Sequence, residues 1–254
     1  LQLARRQTPE ADWEAARAHL STIARDVVEL SDALAPDDLA GRAGALAGLI
    51  TGRYGYLGDT EHYDDLDNAN LIRVIERRRG LPVALGIIWL HAARAAGWPA
   101  RGINFPGHFL FALEGERPEG RVLVVLDVFR GGVTLDRSDL RRMLRAVSGA
   151  EAEAGPRLLA AMSSRDVLLR LQTNIKSRLV MIGDVQAALD CVNDTLRFAP
   201  EEPLLWREAG QLHQRLDQVE GALRCYGRSL QLAPRGEAAS RTRAAMAELR
   251  GRMH

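Results

Sequence analysis

Trp13, Ala16, Leu20, Ile23, Val27 and Leu30 recur three and four residues apart, with polar and small residues between them. That period lays one apolar stripe along a helix. Thr8, Pro9 and Glu10 supply a hydroxyl cap, a first-turn proline and an acid near the positive helix end, so a helix start is predicted there. Ala35 to Asp38 breaks the pattern. Leu39 to Thr51 resumes it, ending near Gly52. Residues 1–50 thus read as a helical N-terminal part. Tyr54 to Asn70 is rich in Gly, Asp and Asn and reads as loop, followed by a short helix over Leu71 to Arg78. Leu81 to Ala93 is an apolar run of 13 residues, too short to span a bilayer and suited to a buried helix. Pro82 opens that helix, over Val83 to Ala96, and Gly97-Trp98-Pro99 stops it.

The period then changes. Ala100 to Asn104 reads as a strand and Phe105-Pro106-Gly107 as a turn. His108 to Leu113 and Arg121 to Val128 read as two strands joined by the stretch Glu114 to Gly120. Gly131-Gly132 closes this part, and Leu135-Asp136 leads back into helix. Folding the two strands about Pro118 pairs residues whose numbers sum to 235, which sets Leu113 against Val122 and His108 against Asp127. Directly opposed residues lie about 5 Å apart at Cβ.

The last third repeats itself. Ala199-Pro200 recurs as Ala233-Pro234, Ala188-Leu189 as Ala222-Leu223, Cys191 as Cys225 and Leu196 as Leu230, always 34 residues apart. That is the tetratricopeptide period. Trp206, Gly210, Ala222, Tyr226 and Pro234 fill the motif in the second copy. In the first copy Gln172 and Lys176 stand where Trp and Gly belong. Small residues let paired helices approach, and the proline ends the second helix. The repeats are placed at 167–200 and 201–234, with Glu237 to Leu249 as a capping helix. The predicted division is a first domain over 1–160 and a helical repeat domain over 161–254.

Composition narrows the function classes. With 46% apolar and 26% charged residues, the 254-residue chain is an ordinary globular one. Its 34 basic and 33 acidic residues balance to +1, so neither nucleic acid nor an anionic membrane is an expected partner. Of the basic residues only Lys176 is lysine. Two cysteines build neither a disulfide framework nor a zinc site. Leu1 to Arg6 lacks the apolar stretch of a leader. Together these point to a reducing, cytoplasmic compartment.

The chemistry gathers in the middle. An aspartate that accepts from one imidazole nitrogen fixes the tautomer and leaves the other nitrogen as a base. His108 and Asp127 are the candidate pair. A nucleophile before such a pair belongs at Gly80 to Ala84, where a helix N-terminus would activate a thiol. That stretch holds no Cys, Ser or Thr. Asp59, Glu61, His62, Asp64, Asp65 and Asp67 are metal-ligating residue types, but no fixed ligand spacing joins them. A loop of Asx turns and helix caps is expected instead, with no metal and no cofactor.

Arg78-Arg79-Gly80-Leu81-Pro82, the apolar helix, Phe105-Pro106-Gly107-His108-Phe109-Leu110 and Leu126-Asp127-Val128-Phe129-Arg130-Gly131-Gly132 together resemble the bacterial SirB-type proteins. These are transglutaminase-like domains followed by tetratricopeptide repeats. Tyr63, Asn70-Leu71 and Asp166 to Lys176 also fit, and the likeness covers residues 10–235. The resemblance implies an α+β fold: a helical N-terminal part, a small antiparallel sheet of papain-like type, then the repeats. The wider superfamily uses a Cys-His-Asp triad. The resemblance carries His108 and Asp127 onto its His and Asp, and puts its Cys near Pro82, which has no nucleophile. Tyr54, Tyr56 and Tyr63 are available to fill that place.

Two readings of function follow. In the first, the chain is a non-catalytic scaffold, a pseudoenzyme that binds a protein or peptide through the cleft or the repeat face. In repeat phase Arg170, Thr173, Ser177, Arg207, Gln211 and Gln214 face the concave side, and Arg170 and Arg207 would meet an acidic group or a C-terminal carboxylate. A competing expectation is that this face packs against the first domain. In the second reading the chain is a cryptic hydrolase or transferase using His108 and Asp127 with a non-cysteine nucleophile or water. As a third possibility, His108 and Asp127 simply tie two strands together, since buried polar groups need partners.

Overall fold

Asp12, rather than Thr8, starts the long N-terminal helix. In a computed structural model that describes residues 1–35, 37–117, 120–148 and 156–251, helix α1 covers Gln2–Gln7 and α2 covers Trp13–Ser31. The Asp12 carboxylate accepts from Ala15 N at 2.9 Å. Thr8 instead closes α1, its hydroxyl donating to Ala4 O at 3.0 Å. Both residues are good caps, and Asp12 stands directly before the first apolar position. Ala16, Ile23 and Val27 form the buried face of α2. Helix α3 (Leu39–Leu46) is capped by Asp38 and runs on as a π-helical turn over Ala47–Arg53. Pro36, in the predicted break, lies outside the described residues.

The loop that follows is pinned to the start of the buried helix. Strand β1 (Leu57–Gly58) pairs in parallel with β2 (Arg79–Gly80). Between them Asn70 caps α4 (Leu71–Arg77), accepting from Ile72 N and Arg73 N. Arg78 ends α4 in the left-handed conformation, φ 58°. Helix α5 (Pro82–Ala95) carries buried residues on every side, from Pro82 to Ala93. It therefore sits inside its unit, as its near-continuous apolar sequence requires.

Strands β3 (Ala100–Phe105), β4 (His108–Arg117), β5 (Gly120–Asp127), β6 (Val133–Leu135) and β7 (Ala161–Met162) form an antiparallel sheet in the order β6-β5-β4-β3-β7. The β4–β5 register differs from the sequence reading. Leu113 pairs with Val124 and Phe111 with Leu126, so paired numbers sum to 237. The connector is also shorter, because Arg117 still pairs with Gly120. The predicted pivot, Pro118, lies outside the described residues. A slip of two residues keeps every side chain on its face, whereas a slip of one would invert them all.

One face of the sheet meets α5. The Phe109 ring lies where Cβ atoms at Gly86 and at Gly102 would come within 2.1 and 2.7 Å of it. The helix approaches the sheet that closely only because both positions lack a side chain. The other face, with Ile103, Phe105, Leu110, Ala112 and Val125, packs under Leu140 and Leu144 of α6 (Arg137–Ser148).

The chain divides into two compact units, Leu1–Val167 and Leu168–His254. The division falls inside α7 (Ser164–Met181), after which come α8 (Val185–Leu196), α9 (Pro203–Arg215), α10 (Val219–Leu232) and α11 (Glu237–Gly251). In the second unit a Cβ at Gly210 would lie 2.5 Å from the Tyr226 ring, the close helix approach that the repeat motif implies. Tyr226 and Ala222 are buried together with Leu249 of α11. The architecture is α+β.

Candidate functional site

Gly107 (φ 68°) turns the chain from β3 into β4 and delivers His108 to the strand end. Its Nε2 lies 2.9 Å from Asp127 Oδ1. In the observed register Asp127 would stand opposite Leu110, one step along the same face from His108. The two residues are therefore diagonal neighbours, about 7–8 Å apart at the backbone, and the reach of the imidazole closes the gap.

Asp127 has two tasks. Its side chain is 2% exposed, and its Oδ1 also accepts from Phe129 N at 3.0 Å and Arg130 N at 3.4 Å. It thus caps the 3-10 turn Val128–Arg130 while holding the histidine. A carboxylate only accepts, so in the neutral imidazole the shared proton sits on His108 Nε2 and Nδ1 carries a lone pair. Gly131 and Gly132 then reverse the chain at positive φ. Any Cβ at Gly132 would lie 2.3 Å from the Trp89 ring of α5.

His108 lies on the wall of a cleft of about 550 Å³, within the range of ligand pockets. Leu57, Gly58, Thr60 and Tyr63 line one side, Phe129 and Arg130 another, and Met143, Ala146 and Val147 of α6 the third. Tyr63 meets Phe129 edge-on, with ring centroids 5.8 Å apart, and Phe129 meets His108 likewise at 6.3 Å. Gly80 to Ala84 are not among the lining residues. Pro82 is buried in the first turn of α5, and the pinned loop 57–63 faces the cleft instead.

The three tyrosines part company. Tyr63 lines the cleft. Tyr54 donates to Asp26 Oδ2 at 2.6 Å. Tyr56 is fully buried, accepts from Arg78 Nη1 and has its phenol pushed up to about 12 by burial. Sequence reasoning missed α6 as a wall. The signal was the i, i+3, i+4, i+7 stripe of Leu140, Met143, Leu144 and Val147, whose far edge at Val147 stays exposed.

The acidic loop is an ion-pair network centred on Arg77. The guanidinium reaches Asp59 at 3.3 Å, Asp65 at 2.9 Å and Asp67 at 3.5 Å. Asp59 also accepts from His62 N at 2.9 Å and Asn68 Nδ2 at 3.2 Å. Among the described residues no cluster of three His, Cys, Asp or Glu is arranged to hold a metal. Burial alone would raise the Asp59 carboxyl, but these hydrogen bonds and the His62 and Arg77 charges outweigh it and hold it below the usual carboxylate range. A depressed folded pKa stabilises above the unfolded value and loses that contribution as pH falls through the folded one. The Asp59 carboxyl carbon resonance should therefore titrate on acidification with a midpoint below 3.8. A midpoint above that value would remove Asp59 as the anchor of the loop.

In the second unit, a groove of about 660 Å³ is lined by Lys176, Val180, Glu208, Gln211, Leu212, Gln214 and Arg215. Gln211 and Gln214 thus share one groove, and Gln214 also accepts from Tyr226 Oη at 2.9 Å. Arg170 and Arg207 are half-buried and lie outside its lining. Lys176, paired with Glu208 at 2.7 Å, lines the groove beside Gln211 and Gln214.

Comparison with known proteins fits this layout. The transglutaminase-like superfamily matches residues 14–173, and a tetratricopeptide repeat family matches residues 175–247. A UPF0162 protein of Xylella fastidiosa is 35% identical over 185 residues, 72% of this chain and 64% of the relative. The chain thus spans less than two thirds of that relative. A UPF0162 protein of Vibrio cholerae is 30% identical over 233 residues, 91% of this chain and 83% of the relative. Protein SirB1 of Salmonella typhimurium is 27% identical over 195 residues, 77% and 70% of the two chains. The chain belongs to the transglutaminase-like superfamily, in its UPF0162 and SirB1 group, with tetratricopeptide repeats following the superfamily domain.

Proposed function

We propose that the chain is a non-catalytic scaffold that binds a protein or peptide partner through its repeat groove, in a reducing, cytoplasmic setting. The observation that carries this reading is the location of the thiols. The chain's two cysteines, Cys191 and Cys225, are buried in the repeat unit, and burial pushes the Cys191 thiol up to about 12. Such a thiol is inert at neutral pH. Proline stands where the resemblance puts the superfamily's cysteine. Tetratricopeptide repeats generally mediate protein–protein contact, and Lys176, Gln211, Gln214 and Arg215 give the groove polar groups to hold a peptide backbone.

A second reading is favoured by one feature of the cleft. His108 Nδ1 carries a lone pair beside open space while Asp127 holds Nε2, the arrangement of a general base for water. One experiment separates the two. The full chain is screened on an array of immobilised peptides, and in parallel incubated with glutamine-containing peptides and a fluorescent primary amine. The scaffold reading expects a defined peptide set, lost when Lys176→Glu and Gln211→Ala are combined, with neither amine incorporation nor ammonia release. Turnover that disappears in a folded His108→Ala variant would replace it with the catalytic reading.

A further inference from the structure

Exposed apolar side chains scattered singly are ordinary, whereas several gathered in one concave place can mark a docking site. Three of them, Leu57 at 37%, Tyr63 at 43% and Val147 at 58% exposure, line the His108 cleft, where Phe129 and Met143 extend the same apolar surface. Thr60, Tyr63 and Arg130 share the lining with it, and His108 Nδ1 is the acceptor whose direction is fixed by a second bond. With Nε2 committed to Asp127, Nδ1 takes a donor from a ligand and offers none. The complement is an N–H carried next to an apolar side chain, which is what each aliphatic residue of an extended peptide presents.

We propose that the cleft is a second docking site, which seats an aliphatic side chain from an extended segment of a partner protein and takes that residue's backbone N–H on His108 Nδ1. The proposal concerns binding at the cleft alone and is independent of the repeat groove. His108 and Asp127 then act together as a fixed acceptor: Asp127 sets the tautomer, and Phe129, ring edge to His108, forms the floor beside it. The pinned loop, bonded through Leu57 N to Arg78 O at 3.1 Å, holds Leu57 ready for the ligand rather than collapsed over the histidine.

Two small probes test this by NMR titration of the full chain. N-acetyl-L-leucine dimethylamide carries one N–H, that of the leucine. Its N-methylated analogue carries none. Saturable shifts at Leu57, Tyr63, Phe129 and Val147 are expected with the first probe. Affinity should fall roughly tenfold for the second probe, because a buried acceptor is left unpaired, and likewise for the first probe on a His108→Ala variant. Val147→Glu, at an exposed position, should remove binding while leaving the rest of the spectrum in place. Equal affinity for the two probes, shifts confined to residues 176–215, or no saturable shifts up to the probe's solubility would each overturn the proposal. So would self-association of the chain that Val147→Glu abolishes, since a second copy would then be the occupant. Release of dimethylamine from a probe that still binds at the cleft would overturn the non-catalytic reading and leave the docking site standing.

Discussion

Replacing Phe109 by alanine is expected to destabilise the first unit by about 3–5 kcal/mol, measured by denaturant unfolding. The ring is fully buried, and it fills the space that Gly86 of α5 and Gly102 of β3 leave open. Removing it opens a cavity where helix and sheet approach closely through glycine on both sides. A companion change gives the prediction a sign that a general packing argument lacks. Gly86→Ala alone puts a Cβ 2.1 Å from the ring and should cost roughly 1–3 kcal/mol by overpacking, although alanine is the better helix former by about 1 kcal/mol. In the Phe109→Ala background the clash is gone, so Gly86→Ala should be neutral or stabilising. Simple addition of the two costs would mean that the ring is not held between these glycines.

Removing Asp127 should be almost as damaging. Asp127→Ala strands three donors, His108 Nε2 and the backbone N–H groups of Phe129 and Arg130, around a side chain that is 2% exposed. A fully buried donor left unpaired costs about 1–3 kcal/mol, and since these three are part-buried a combined loss of roughly 2–3 kcal/mol is expected. Asp127→Asn keeps a neutral acceptor, and its cost should fall to about 1 kcal/mol. The same variants report on His108. In wild type its nitrogen resonances should show the proton on Nε2, and in Asp127→Ala a mixture of tautomers. An alanine variant within about 0.5 kcal/mol of wild type would mean that the pair is no part of the fold's support.

His108 and Asp127 illustrate how far the chain could be read. Their residue types, the strand periodicity and the turn between them were enough to pair them, and the 2.9 Å contact is present. The geometry of that pairing was not legible. It depends on how many residues the hairpin spends in its turn, and Arg117 and Gly120 are strand residues here rather than connector. Thr8 and Asp12 show the same weakness at shorter range: two competent caps four residues apart, and the choice falls to the one adjoining the apolar stripe. The repeat groove was legible in Gln211 and Gln214. Lys176 was visible only as a departure from the motif.

What the sequence determined by itself is whatever near neighbours along the chain encode. The 3.6-residue period, the proline and glycine stops and the 34-residue repeat specify the helices and their order, because each rests on interactions within a few residues or on exact repetition. The missing thiol at Gly80 to Ala84 is likewise plain from the chain. Tertiary structure alone decided that α6 supplies the third wall of the cleft and that loop 57–63 faces it while Pro82 is buried. It also gathered Arg77 with three carboxylates. These follow from which distant surfaces bury together. Hydrophobic burial is non-directional, so the partner of an apolar flank such as Met143 and Val147 is set only when the whole core has closed.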